Sequence, residues 1–436
     1  MHNLSWNYIK EKWQNVGFQR YFRNMGWMFS ARIFILAVAF FINAYIARYL
    51  GPANYGLLNY MISFIGLFAV LSSLGIENVA NREIIKNHEN KDLIVGTSFY
   101  LKLFGSLLAL IIILIISPLT TRDPLLLILI GICSLTFIFS AFNIIEVYFQ
   151  SQVLSKYPAI ISIISGVISA ILKIIVIYLS AGIIWLTAIY VFESMIVALG
   201  LIYFFINKGH SVKKLVFDKT TAILIVKDSW PLMLSGLAWS IYMKIDQVMI
   251  KNMIGNESVG IYAVAVKLSE FWYFVPGIIC ASIFPAIINA KKVSQKIYDE
   301  RFKKLYVFMF WLSFLVAIFL SLFAPLIIHL LFGVKYMDAV IPLRIYVWAG
   351  IAVSLGYVAT YHLLAENKTK INAISTTVGA LTNIILNLIL IPKYGINGSA
   401  FASFISYSIV TLSLVFFSKF SPKQKNIFSK IPINIK

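Results

Sequence analysis

The chain has 436 residues, of which 60% are hydrophobic and 12% are charged, and its mean hydropathy is +0.86. This composition excludes an ordinary soluble globule and is typical of a polytopic α-helical membrane protein. The net charge of +20 would suggest nucleic-acid binding in a soluble protein. Here the basic residues lie in short loops between apolar spans, which argues against a nucleic-acid partner and indicates membrane orientation.

The first half begins with residues 1–25, where apolar residues at helical spacing alternate with basic ones. This segment is compatible with an interfacial helix on the inner membrane face and with a loosely ordered tail, and no cleavable signal peptide is expected. Residues 26–206 are predicted to form an N-terminal six-helix bundle. Its apolar spans, each long enough to cross a bilayer, lie at about 27–47, 57–76, 93–117, 124–148, 158–180 and 183–206.

The longest internal polar stretch, residues 207–228, is predicted to be a cytoplasmic basic linker. Residues 229–418 are predicted to form a C-terminal six-helix bundle, and 419–436 a basic cytoplasmic tail. The second bundle opens with a hairpin of two spans over 229–277. Its other four spans lie near 305–331, 340–364, 371–391 and 398–418.

The basic residues orient these twelve spans. Loops on one side, together with both termini, hold 26 of the 37 Lys and Arg residues, whereas loops on the other side hold five. Positively charged loops face the cytoplasm, so both termini are predicted to be cytoplasmic.

Glycines reveal an internal repeat. A shift of 204 residues places Gly51 on Gly255 and Gly56 on Gly260, and a shift of 213 places Gly166 on Gly379 and Gly182 on Gly395. Both halves start in the cytoplasm with six spans, so the repeat is parallel. It predicts two bundles related by a pseudo-two-fold axis along the membrane normal, with a site between them.

The hairpin of residues 229–277 carries four charges at membrane depth, namely Lys244, Asp246, Lys267 and Glu270. Charges in a bilayer are expensive, so they usually face a bundle interior or a wet cavity and mark a pathway. The repeat places uncharged residues at the matching positions of the first half. The alternative is an internal ion-pair set that holds the two spans together, because Lys267 and Glu270 are three residues apart on one helix.

Three cations lie in apolar spans of the first half: Arg32, Lys102 and Lys173. None has an acid in its own span, so each needs a partner from another helix, water or an anionic ligand. Snorkelling to the surface is the alternative for Lys173 and for Arg32, which lies near the cytoplasmic end of its span. Together with Lys244 and Lys267, these residues are the candidate substrate-binding cations.

The acidic residues and the cysteines limit the classes of function that the sequence allows. Glu193, near the middle of its span, is a candidate protonatable or cation-binding group, whereas Glu146 is predicted to be interfacial. Cys133 and Cys280 lie in apolar spans and are predicted to be buried without a disulfide role. The chain has no nucleophile–base pair, phosphate-cradling loop or metal-ligand spacing. An enzyme, a metal site and a cofactor are therefore not expected.

Four segments, together with the twelve-span layout, carry a family resemblance. They are Arg48-Tyr-Leu-Gly-Pro-Ala-Asn-Tyr-Gly56, Ser229-Trp-Pro, Lys244-Ile-Asp-Gln247 and Pro392-Lys-Tyr-Gly-Ile-Asn-Gly398. In this order they resemble Wzx-type O-antigen and polysaccharide repeat-unit flippases, over about residues 20–420. These proteins form the polysaccharide transport branch of the multidrug/oligosaccharidyl-lipid/polysaccharide exporter superfamily.

The resemblance implies translocation of an undecaprenyl-pyrophosphate-linked oligosaccharide, an O-antigen or capsule repeat unit, across a bacterial cytoplasmic (inner) membrane. It implies two bundles around a V-shaped cavity, alternating access, coupling to H⁺ or Na⁺, and contact with other polysaccharide assembly proteins. Cations in a low-dielectric cavity would attract the pyrophosphate and acidic sugars of such a substrate. Asp246, Glu270 and Glu193 are the candidates for the coupling ion.

Three other functions are open. A multidrug/cation antiporter of the same fold would use first-half acids, but the first two spans have none apart from Glu77 at a boundary. A membrane glycan polymerase or ligase would need an external platform, and the external loops are short. A structural membrane protein would not need the intramembrane charges.

Overall fold

The computed structural model describes residues 16–212, 215–366 and 368–419, and it is 91% helical with no strand in these residues. Fifteen α-helices, α1 to α15, are considered below. In chain order they are Val16–Ser73, Ile76–Lys86, Lys91–Thr120, Pro124–Ser134, Thr136–Ser140, Ile144–Ser151, Lys156–Tyr178, Ile183–Asn207, Lys219–Met253, Asn256–Glu270, Phe274–Val293, Gln295–Leu331, Val340–Tyr346, Ala349–Ala365 and Thr369–Lys419. Short 3₁₀ turns lie at His88–Asn90, Ala141–Asn143 and Val334–Ala339.

Eight helical stretches of the described chain are long and apolar enough to cross a membrane, and the bent pair α13–α14 makes up to nine. Two of the stretches, Ser30–Lys86 and Lys370–Ser418, have 57 and 49 residues. At 1.5 Å per residue each is far longer than the bilayer core of about 30 Å, so each holds two crossings. The prediction of an all-α polytopic membrane protein is confirmed.

Glycines make these turns. Within α1 the helix breaks at Gly51 (φ 68°, ψ 172°), and between α9 and α10 it breaks at Gly255 (φ 120°, ψ 176°). Only glycine adopts such a conformation without strain, because any Cβ would clash with the backbone. Gly182 and Gly395, the other repeat pair, also have positive φ values, 87° and 60°. The glycine repeat of the sequence is therefore a repeat of backbone conformation.

Two predicted spans are segmented. The predicted span at 124–148 consists of α4, α5, a 3₁₀ turn and α6, and the predicted span at 340–364 bends by 44° between α13 and α14. Helix α9 begins at Lys219, inside the predicted linker 207–228. The prediction for residues 1–25 falls mostly outside the described residues, but from Val16 onward the backbone is helical and continuous with the first span.

Contacts divide the chain into two compact units. The first unit contains the residues up to Ile46 and Phe68–Gly236. The second contains Ala47–Leu67 and the residues from Leu237 onward. The bundle boundaries drawn from the sequence at 26–206 and 229–418 stay a prediction. By contacts, the start of the second span clusters with the second unit.

The first unit has an apolar core in the region where α2 and α6 lie. One buried cluster there includes Ile76, Val79, Ile84, Ile145 and Phe149. In α2 and α6 these residues occupy one helical face, so their burial fixes how each helix is rotated. The polar residues of both helices are consequently held on their other faces.

The second unit contains a close backbone crossing. A Cβ on Gly56 would lie 1.7 Å from the carbonyl oxygen of Asn256, and a Cβ on Gly260 would lie 2.0 Å from that of Pro52. These contacts are reciprocal, because the shift of 204 residues converts Gly56 into Gly260 and Pro52 into Asn256. The repeated glycines therefore allow two helix starts to touch through their backbones.

At the end of α14, Glu366 joins three helices outside the membrane spans. Its carboxylate accepts hydrogen bonds from Lys291 Nζ (2.7 Å) and Tyr298 OH (2.9 Å). Partial burial acts to raise the pKa of Glu366, but the two hydrogen bonds outweigh it and lower that pKa below its usual value. This contact ties the end of α11 and the start of α12 to the end of α14.

We predict that Gly56→Ala and Gly260→Ala each destabilise the second unit by at least about 3 kcal/mol, because the added methyl group overlaps a backbone oxygen that cannot move alone. Thermal unfolding of the purified chain measures this. Gly131→Ala is the matched control, since nothing lies within 4 Å of its Cβ position. It should be neutral or stabilising by up to about 1 kcal/mol. Equal unfolding midpoints for all three variants would refute the crossing.

Candidate functional site

Asp246 is the centre of a buried polar cluster in the second unit. It lies on α9 and is 6% exposed. Its carboxylate accepts hydrogen bonds from Tyr262 OH (2.9 Å), Asn387 Nδ2 (2.8 Å) and the Ser403 hydroxyl. All three donors are neutral, and no basic residue pairs with Asp246 among the described residues. The carboxyl group is thus held by hydrogen bonds from neutral donors and not by an ion pair.

More oxygen atoms surround this carboxylate. Asn383 Oδ1 accepts from Asn387 Nδ2 at 3.0 Å, and the carbonyl oxygen of Ser399 lies 3.0 Å from Ser403 Oγ. Asn387 Oδ1 and Ser399 Oγ are buried and have no hydrogen-bond partner in the described chain. Unpartnered oxygens beside a carboxylate form the donor set that hard cations prefer. The cluster can therefore hold a proton or a small cation.

Glu270 lies at the end of α10 in the same unit and is bound by tyrosines. It accepts from Tyr346 OH at 2.7 Å, and Tyr346 OH lies 3.3 Å from Tyr407 OH. The rings of Tyr262 and Tyr346 are in edge contact at 6.2 Å between centroids, which connects this group to the Asp246 cluster. Asp246 and Glu270 are thus connected through two buried tyrosines, Tyr262 and Tyr346.

The two lysines of the hairpin do not neutralise these acids. Lys267 donates to Tyr55 OH at 2.9 Å and lies over the Tyr55 ring at 4.8 Å. Lys244 lies within electrostatic reach of Glu270 without a contact, and its stem packs beside Gly66. No two of the four hairpin charges form an ion pair in the described chain, so the ion-pair set weighed from the sequence is not what the structure shows.

In the first unit, Lys173 and Glu193 meet inside the membrane. Lys173 Nζ lies 3.5 Å from Glu193 Oε2 and 4.4 Å from the centroid of the Tyr190 ring. Ser169 donates a 2.5 Å hydrogen bond to the same carboxylate oxygen. The two side chains are 12% and 32% exposed and border a small cavity of about 40 Å³. The structure thus joins a predicted substrate cation to a predicted ion-coupling acid.

Lys102 has the partner that the sequence required. It is 1% exposed, and its Nζ lies 2.6 Å from Glu77 Oε1 at the start of α2. Arg32 is exposed and lies within electrostatic reach of Glu146. Glu146 itself is half-buried and accepts from Gln150 Nε2 at 3.0 Å. Burial without a partner would be costly for Lys102, so Glu77 accounts for its position.

Sequence reasoning missed the neutral members of these clusters. Asn383 and Asn387 are four residues apart in one apolar span, and Ser399 and Ser403 are four apart in the next. Such spacing puts each pair on one helical face. Polar pairs at this spacing in apolar helices were the signal that could have found them.

The structure defines a polytopic helical membrane protein with partnered charges in its apolar helices, and comparisons identify the family. Residues 21–291 match the family described as polysaccharide biosynthesis protein. This match covers more than half of the chain, and the chain belongs to that family.

Curated relatives are distant. The capsular polysaccharide biosynthesis protein CapF of Staphylococcus aureus is 24% identical over 190 residues, 43% of this chain and 48% of CapF. The uncharacterized membrane protein MJ1375 of Methanocaldococcus jannaschii is 25% identical over 270 residues, 59% of each chain. The chain thus spans about half the length of the curated relatives it matches.

Solved structures show the fold. An inward-facing multidrug resistance MATE family transporter of the MOP superfamily aligns with a TM-score of 0.72 at 15% identity, covering 89% of this chain and 94% of the transporter. The lipid II flippase MurJ, in an inward closed conformation, aligns with a TM-score of 0.72 at 20% identity, covering 89% and 86%. The predicted fold class, two bundles of about twelve helices in all, is confirmed.

We predict that Lys173→Met destabilises the first unit by roughly 2 kcal/mol, because it leaves Glu193 without a cation in an apolar span. This is less than the ~3–5 kcal/mol of a fully buried pair, since Glu193 is partly exposed. The double variant Lys173→Met/Glu193→Gln removes both charges and should recover most of the loss. Denaturant unfolding in mixed micelles measures the cycle. Additive losses in the double variant would contradict a direct pair.

Proposed function

We propose that the chain is a flippase that moves an undecaprenyl-pyrophosphate-linked oligosaccharide, an O-antigen or capsule repeat unit, from the inner to the outer leaflet of a bacterial cytoplasmic membrane. The observation that carries the proposal is the polysaccharide biosynthesis match over residues 21–291. A chain that belongs to this family and is built of spanning helices contributes to the pathway inside the membrane. The step that belongs there is the crossing of the glycan.

The physical chemistry of the crossing supports this assignment. A hydroxyl-rich glycan and a pyrophosphate cannot enter the hydrocarbon core without losing their hydrogen bonds to water. Charged and polar clusters inside both units provide replacement partners. We propose that both termini are cytoplasmic, that other polysaccharide assembly proteins supply and collect the glycan, and that alternating access moves it.

A multidrug/cation antiporter is the second candidate, and the likeness to a MATE transporter favours it. The pairing of two first-unit acids argues against it. Glu77 is paired with Lys102 and Glu193 with Lys173, so neither offers an unpaired carboxylate to a cationic drug. A glycan polymerase or ligase is a weaker alternative, because solved structures similar to this chain include a transporter and a flippase.

We further propose that the Asp246 cluster binds the coupling ion, H⁺ or Na⁺. The fit rests on the donor set, because a carboxylate, two carboxamides and hydroxyl groups converge and two oxygens lack partners. When bound, a cation would neutralise Asp246 and so change the free energy of the buried cluster. Glu270, held by Tyr346, is the second candidate for the proton.

The first test is made in cells that lack the chain. We expect complete lipid-linked repeat units to be trapped on the inner leaflet, where a membrane-impermeant glycan-modifying enzyme reaches them only after the membrane is opened. Single units accumulating on the outer leaflet would instead indicate a polymerase or ligase. Unchanged glycans together with sensitivity to cationic drugs would indicate the antiporter.

Export should also respond to single residues. We predict that Lys102→Ala and Asp246→Ala each reduce surface glycan by about tenfold while membrane insertion persists. Each variant removes one intramembrane charge, and a tenfold loss corresponds to about 1.4 kcal/mol. Ser406→Ala is the control, since this buried serine bonds only to its own helix, at Ala402. Normal surface glycan in both charge variants would remove these residues from the pathway.

The coupling ion can be identified by stability. If Na⁺ is the coupling ion, NaCl should raise the free energy of unfolding of the wild-type chain, by about 1.4 kcal/mol when Na⁺ is at ten times its dissociation constant. KCl at the same concentration should not. Asp246→Asn keeps the shape but loses the charge, so the effect should vanish. A midpoint that depends on pH and not on Na⁺ would assign the proton. Retention of the Na⁺ effect in Asp246→Asn would exclude this cluster.

A further inference from the structure

A second polar cavity, in the first unit, has no part in the coupling site. Its volume is about 200 Å³, and it lies between the polar faces of α2 and α6. At about 30 Å³ per water molecule it would hold six or seven waters, and a single pyranose ring displaces a similar volume. The lining residues are Glu77, Asn78, Asn81, Asn143, Glu146, Val147 and Gln150. Four carboxamides and two carboxylates are therefore brought together.

The cavity is a built feature of the fold. The opposite faces of its helices are buried in one apolar cluster that includes Ile76, Val79, Ile144 and Ile145. That burial prevents either helix from rotating, so the polar faces are held toward each other. Asn81 Oδ1 is buried and has no hydrogen-bond partner in the described chain. A buried acceptor without a partner is unusual and marks a place for a donor from a ligand or water.

The charge of the cavity selects the kind of ligand. Glu77 is neutralised by the buried Lys102 at 2.6 Å. The carboxyl group of Glu146 accepts a hydrogen bond from the neutral Gln150, and no cation contacts it among the described residues. Lys102 and the exposed Arg32 both lie within electrostatic reach of Glu146, but neither lines the cavity. The lining thus offers no hydrogen-bonding cation to the phosphate or carboxylate of a ligand, and a uronate would meet the carboxyl group of Glu146.

Hydroxyl groups match this lining. A carboxamide both donates and accepts hydrogen bonds, and a carboxylate accepts them from vicinal hydroxyls. We infer that this cavity is a subsite for a non-acidic sugar ring of the translocated glycan, and that it excludes uronic acids. The inference rests on the proposed function. The cavity lies at helix ends whose loops are predicted to be cytoplasmic, the side from which the glycan would enter.

No aromatic ring lines this cavity in the described chain. A sugar held only by hydrogen bonds that replace bonds to water binds weakly, with a dissociation constant on the order of millimolar. Weak binding suits a transporter, because a ligand that must be released cannot be held tightly.

The test is made on the full chain in lipid nanodiscs, since maltoside detergents carry sugar head groups. Asn78→Cys places an exposed reporter in the cavity, while the native Cys133 and Cys280 are buried. We expect methyl glucoside or N-acetylglucosamine, at about ten times the dissociation constant, to slow alkylation about tenfold. Glucuronate at the same concentration should have no effect. Asn87→Cys, outside the cavity, is the control reporter and should not be protected.

Two second-site changes sharpen the test. Asn81→Leu, added to the reporter, should abolish protection because it replaces hydrogen-bonding groups with an apolar side chain. Glu146→Gln should allow glucuronate to protect, because it removes the repelling charge and keeps the shape. If the reporter variant fails to fold, the sugar-dependent rise in the unfolding midpoint of the wild-type chain replaces the alkylation measurement.

Several outcomes would overturn the inference. These are equal protection by glucuronate, protection of the Asn87→Cys control, protection by NaCl or MgCl₂ in place of sugar, and protection that survives Asn81→Leu. The proposed function fails separately, when cells lacking the chain show no trapped repeat units. If units are trapped but no sugar protects the reporter, the flippase proposal stands and the sugar subsite falls.

Discussion

The structure depends on one constraint: a charge inside an apolar helix must find a partner, because its desolvation is otherwise too costly. The two units meet it differently. The first unit uses ion pairs, between Lys102 and Glu77 and between Lys173 and Glu193. The second surrounds Asp246 with neutral hydrogen-bond donors and, among the described residues, pairs it with no cation. An ion pair stabilises the fold or leaves a cavity surface without net charge. A carboxyl group with neutral donors and unpartnered oxygens nearby is suited to bind an ion. The two units thus differ in how they accommodate charge.

The internal repeat explains how one scaffold carries two kinds of chemistry. Glycines recur at the repeated breaks with positive φ and where two helices touch through their backbones, since glycine adopts a positive φ without strain and has no Cβ to meet a carbonyl oxygen. Side chains are not repeated in this way. Asp246 and Glu270 correspond to Ile42 and Gly66 of the first half. Backbone requirements are thus shared by the halves, while the charged groups that carry function differ.

The polar cavity of the first unit changes what the intramembrane cations mean. From the sequence, Lys102 was a candidate to attract an anionic substrate. In the structure Lys102 forms an ion pair with Glu77, and the neighbouring cavity is lined by carboxamides and carboxylates. A glycan carrier has both an anionic pyrophosphate and neutral sugar rings. Under the proposed function, these two parts would be recognised by different groups, and the sugar part by this cavity.

The sequence by itself determined the membrane class, most span positions, the glycine repeat and the presence of charges at depth. Hydropathy and glycine conformation are properties of short segments, so they can be read without the fold. The partners of the charges were decided only by tertiary structure. Glu77 lies 25 residues from Lys102, and Asn387 lies 141 residues from Asp246. Such pairs form because particular helix faces pack together, and composition and periodicity do not specify which faces meet.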